Sequence, residues 1–81
     1  MKNITLKYIA KIPNDFQSEG VEWLVIEPHM NKDIIVGYYL FGHQDLNEPS
    51  EWDIWLETLE DAFEAGKGYG VEKSDWIEKS R

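Results

Sequence analysis

The side chains that could do chemistry in this 81-residue chain are sixteen carboxylates, two histidines and a few hydroxyls, since cysteine is absent. His43, Asp45, Glu48 and Glu51 are the densest set of potential metal ligands. A calcium loop beginning at Asp45 would need an oxygen ligand where Pro49 sits, a glycine at Ser50 and a glutamate at Leu56. All three positions fail. His29 and His43 are isolated, no HExxH pattern exists, and both read as loop or strand-end histidines, so no metal is assigned. The run Gly66-Lys67-Gly68-Tyr69-Gly70 has the composition of a phosphate cradle, but such loops open a helix and this one closes one. Ser18, Ser50, Ser74 and Ser80 stand in loops, caps or the tail with no oriented base beside them. The reading is a non-enzymatic protein with no cofactor.

The carboxylates themselves remain. From Asp33 to Gly66 the chain carries Asp33, Asp45, Glu48, Glu51, Asp53, Glu57, Glu60, Asp61 and Glu64, with no lysine or arginine. The net charge of the whole chain is -8, so this segment accounts for all of it, while Lys2, Lys7 and Lys11 make the beginning net positive. Segregated negative charge repels nucleic acid and anionic membrane and attracts basic protein surfaces. The simpler alternative is a solvated acidic face that keeps a small protein soluble.

Length implies a single domain over residues 1–81, near the lower limit for folding unaided. A hydrophobic fraction of 42% and four tryptophans supply the large side chains that a small core needs. Lack of cysteine favours a reducing, cytoplasmic setting. Residues 1–12 are too broken by Thr5, Lys7 and Lys11 to act as a signal, and the longest apolar run, residues 34–41, is too short to span a bilayer.

The elements that must position these groups follow from periodicity. Residues 4–12 alternate, with Ile4, Leu6, Tyr8, Ala10 and Ile12 on one face, which predicts a strand. Phe16 to Gly20 reads as loop. Glu22 to Glu27 predicts a second strand ended by Pro28, and Ile34 to Phe41 a third that is apolar on both faces and therefore central. Gly37 within it signals a bulge or a close approach. Trp52 to Leu56 alternates as a fourth strand. Thr58 with Asp61 marks a helix start, Leu59, Ala62, Phe63, Gly66 and Tyr69 recur at helical spacing, and Gly70 suits the C-terminal cap. Beyond it, Ser74 could cap a second turn and Trp76 fold back as an anchor. The expectation is an α+β domain: an antiparallel sheet of about four strands with one main helix on one face.

On that helix Glu57, Glu60, Asp61 and Glu64 form one stripe, in which the pairs four apart repel by about 0.2–0.5 kcal/mol each. Trp52 and Trp55 have opposite strand parity and point to opposite faces, so one of the rings lies on the face away from the helix. An exposed tryptophan with an acidic rim has the composition of a protein-binding hot spot. The candidate partner-binding residues are therefore Glu48, Glu51, Trp52, Asp53, Trp55, Glu57, Glu60, Asp61 and Glu64.

The run from Trp55 to Ala65, followed by Tyr69-Gly70-Val71 and Ser74-Asp75-Trp76, resembles the C-terminal part of a group of small bacterial proteins. Strands, an acidic loop and a short helix are also similar to immunity proteins of bacterial toxin systems, and the Thr-Leu-Glu-Asp-Ala helix start resembles small antitoxins. The resemblance implies a bacterial binding protein, and together with the charge the reading is a docking protein for a basic partner, with an inhibitor of the immunity or antitoxin type that neutralises a toxin or nuclease as one form of it. Two other readings stand beside it. One is a homodimeric module that pairs through an open edge at strand one or four; the other is a small enzyme or metal-dependent protein.

Overall fold

The computed structural model describes residues 6–18 and 20–80, and the side chains of residues 7–18 and 20–79. Ile4 and Thr5 of the first expected strand, Lys2, and Glu19 of the expected loop lie outside the described residues. Strand β1 is Leu6–Lys11, β2 Trp23–Asn31, β3 Ile34–His43 and β4 Trp52–Leu56; helix α1 is Leu59–Lys67, and β5 is Ile77–Ser80. Short 3-10 turns lie at Asn14–Phe16 and Lys73–Asp75. All neighbouring strands are antiparallel in the order β4-β3-β2-β1-β5.

The class expected from sequence holds, with one strand more than expected. Residues 77–80 carry a single apolar side chain and give no alternation to read, yet they pair with β1 from Leu6–Ser80 to Ile9–Ile77. Strand one is therefore no edge; among the described residues the edges are β4 and β5. Pro28 does not end the second strand either. The β1 ladder stops at Tyr8–Ile26, so at Pro28 only β3 is paired alongside among the described residues, and a missing N–H disturbs little there. The register then slips between His29 and Met30, opposite Gly37.

Helix α1 follows its local chemistry. The Thr58 hydroxyl accepts the Asp61 N–H at 3.0 Å, the N-cap bond expected of threonine. After Lys67 the chain closes through the Val71 N–H to the Gly66 carbonyl and the Gly70 N–H to the Lys67 carbonyl, both at 3.0 Å. Gly70 takes φ +81, and this left-handed residue with its two bonds makes a Schellman-type closure. The second turn is capped by Glu72 and Asp75, with the Glu72 N–H donating to the Asp75 carboxylate at 2.9 Å, and not by Ser74.

Ala10, Ile12, Leu24, Ile26 and Leu40 of the sheet meet Ala62, Phe63, Val71 and Trp76 in the core. Tyr8 lies at its margin, its ring edge-on to Phe63 at 5.4 Å. Burial, with the neighbouring charge and hydrogen bond of Glu78, raises the Tyr8 phenol above its ordinary value. The phenol is thus held neutral in the fold more firmly than in the unfolded chain. Its contribution to stability is full below about pH 10 and is lost as pH climbs through the raised folded value. Tyr8→Phe should unfold at alkaline pH with a visibly shallower loss of stability than wild type, measured by urea titration between pH 8 and 11. Parallel curves would refute the assignment.

Candidate protein-docking surface

Asp33 lies apart in the β2–β3 turn beside Lys32, and the rest of the acidic segment gathers on the β4 and α1 side of the molecule. Asp45 and Glu48 sit in the loop that leads to edge strand β4, Glu51 immediately precedes it, Asp53 lies within it and Glu57 follows it. Helix α1 packs over β3 and β4 and adds Glu60, Asp61 and Glu64 on its exposed side. Opposite the buried Ala62, Phe63 and Gly66, those three carboxylates do share a helix face. Glu57 does not belong to that stripe, because Thr58 is the N-cap and Glu57 precedes the helix. The loop is shaped locally: the Asp45 carboxylate accepts the Asn47 N–H at 2.9 Å, and the Glu48 carbonyl lies 3.1 Å from His43 Nδ1.

Among the described residues little neutralises this charge. Lys7 pairs with Glu27 at 3.5 Å and Lys11 with Glu22 at 3.2 Å, both outside the acidic segment. Within it, only Glu60 with Lys73 at 3.7 Å and Glu64 with Lys67 at 3.2 Å make ion pairs among the described residues. Such exposed pairs contribute little, about 0–1 kcal/mol. Glu48, Glu51, Asp53, Glu57 and Asp61 are exposed and make no ion pair among the described residues.

The two candidate tryptophans separate as parity requires. Trp52 lies on the helix side, where it crosses Gly42 and stacks on Tyr69 at 5.4 Å and 24°. It is half-buried and packed against the core, which makes it structural cover more than a free contact. Trp55 lies on the other face, 45% exposed. Its ring rests on Gly37, where an added Cβ would collide with the indole. That is the close approach Gly37 signalled. The indole N–H donates to His29 Nδ1 at 3.0 Å, so His29 serves there as an acceptor.

Around Trp55 the open face carries residues that the sequence reading did not assign. The register places Trp55 beside Tyr39 and Glu27, Asp53 beside Phe41, Val25, Ile9 and Ile77, and His43 beside Trp23 and Lys11. His29 and Tyr39 are 5.3 Å apart and Tyr39 stacks on Phe41 at 5.7 Å. Strand β3 is an interior strand, one in from the β4 edge, while the centre of the sheet is β2 and not β3 as its composition implied; its second apolar face is open. The shared parity of Trp23, Val25 and His29, and of Tyr39, Phe41 and His43, was the available signal.

Among the described residues no group of three or more His, Cys, Asp or Glu side chains is placed to hold a metal ion. No helix of the described residues is long and apolar enough to cross a membrane. Comparison with protein-family models, with curated proteins and with solved structures finds no match to this chain.

Proposed function

We propose that this chain is a non-enzymatic binding protein whose acidic half docks a basic protein partner along edge strand β4. The observation that carries the reading is the coincidence of an unpaired sheet edge with its unneutralised border. The outer side of β4 has no strand beside it among the described residues, and Glu48, Glu51, Asp53 and Glu57 flank it along its length. An open edge offers main-chain N–H and C=O groups to an extended segment, and the carboxylates select a segment that carries lysine or arginine. Trp55, exposed at the same strand, supplies apolar contact area. Helix residues Glu60, Asp61 and Glu64 add to the attracting field and to the rate of encounter. An inhibitor of the immunity or antitoxin type, acting on a basic toxin or nuclease, is the role this chemistry fits.

The test uses a defined probe, an extended peptide of alternating lysine and valine, titrated while tryptophan fluorescence is followed. Binding should be saturable and should weaken steeply with salt, since the Debye length falls from about 10 Å at 0.1 M to about 3 Å at 1 M. Glu48→Lys, Glu51→Lys and Glu57→Lys combined should weaken it tenfold or more and leave the far-ultraviolet circular dichroism unchanged. The same peptide with proline at alternate positions, unable to pair with an edge, should bind as weakly as that variant. Equal affinity for an acidic peptide of the same pattern, or full affinity of the triple variant, rejects the proposal.

A further inference from the structure

The open face of the sheet is a second surface, and its charge differs from that of the β4 edge. An apolar band crosses it from Ile77 through Ile9 and Val25 to Phe41, ending at Asp53. Tyr39 and Trp55 flank the band on one side and Trp23 on the other. Ile77 is 61% exposed and Val25 only 4%; Ile9, Trp23, Tyr39 and Phe41 are half-buried, and helix α1 packs on the opposite side with Leu24, Ile26 and Leu40. A contiguous apolar and aromatic face of this extent marks an interaction surface.

Its ends are opposite in sign. Asp53 stands at the β4 end; Lys7, Lys11 and Lys79 stand at the β1 and β5 end. Glu27 offsets Lys7, and Glu22 offsets Lys11, which also lies 4.9 Å over Trp23. Lys79 makes no ion pair among the described residues. A wholly basic partner laid across this face would meet those lysines. A second copy, turned about an axis along the strands, would not: the turn brings its β4 over the first copy's β5.

We propose that two copies of this chain pack open face to open face about a twofold axis parallel to the strands. Each copy's Asp53 end then faces the other's lysine end, and the two apolar bands cover one another. Stacked sheets accept this arrangement at a separation of about 10 Å with a relative rotation of about 30°. Five strands at about 4.8 Å and three residue rows make a patch of about 24 Å by 20 Å, about 480 Å² per partner, which is below the roughly 800 Å² of a standard stable interface and in the range of weak, reversible association. The outer edge of β4 stays at the rim of such a dimer, but Asp53 and Trp55 would be covered by the second copy, so the dimer and the use of those two side chains in docking a basic segment exclude one another.

Sedimentation velocity of the full chain without any partner tests it, across protein concentration. The expected result is a reversible dimer. Ile77→Glu should weaken dimerisation by about tenfold or more, as expected for a charge placed among desolvated contacts, with circular dichroism unchanged. Asp53→Lys and Lys79→Glu should each weaken it, and the two together should restore it in part, because the reversed ends again match. A monomer at every concentration overturns the proposal. So does a dimer indifferent to Ile77→Glu, or a double reversal no better than either single change.

Discussion

Trp76→Ala is expected to lower the unfolding free energy by about 3–5 kcal/mol, the range for deleting a large buried aromatic. For 81 residues the total is roughly 4–12 kcal/mol at about 0.05–0.15 per residue, so the variant sits at or near the edge of folding. The position explains the size of the effect. Trp76 is 9% exposed, packs 5.9 Å from Phe63, and lies so close to Gly66 that an added Cβ there would stand 2.7 Å from its Cζ2. It precedes β5 directly, so its loss frees that strand as well as opening the core. Trp76→Phe should be much milder. The buried indole N–H has no hydrogen-bond partner among the described residues, and an unmatched donor costs about 1–3 kcal/mol that phenylalanine does not incur. Urea titration reads both. A loss below about 1 kcal/mol for the alanine variant would remove Trp76 from its anchoring role.

Leu40→Ala should cost about 2–5 kcal/mol, whereas Ile54→Ala should cost under about 1 kcal/mol. The two residues are register partners on the helix side of β3 and β4, so strand context and face are shared. Burial separates them: Leu40 is 0% exposed and Ile54 41%. The contrast measures how thin the core becomes at the β4 edge. A lightly held edge opens locally at low free energy, which suits a strand that must accept another alongside it. Similar losses at both positions would show that β4 is held as firmly as β3 and would weaken the docking proposal.

Much of this architecture could be read from spacing. Strand β4 matches its expected limits, because Trp52 to Leu56 alternates between charged flanks, and Thr58 and Gly70 bound the helical turn chemistry where side-chain and backbone constraints are local. What escaped the reading depended on partners distant in sequence. Residues 77–80 are a strand because β1 offers them an edge; a short, charged segment is the usual form of a sheet border. Pro28 stays in β2 because, among the described residues, the ladder to β1 stops at Tyr8–Ile26 and only β3 is paired beside it. Apart from Asp33, the acidic segment does gather on the β4 and α1 side, yet periodicity carried Glu57 into a helix that begins beyond it. Parity separated Trp52 from Trp55 correctly. It could not show that the face beneath Trp55 is aromatic across three strands, since that depends on register.

The pairing of β1 with β5 brings residues 6–9 alongside residues 77–80, and this has a consequence for biosynthesis. On a ribosome, β1 waits for its outer neighbour until nearly seventy further residues have been made. Throughout that interval its main-chain groups on that side are open to unwanted pairing. Completion of the sheet therefore follows synthesis of the other four strands and the helix, and a chaperone that shields residues 6–11 would act on the nascent chain during that interval.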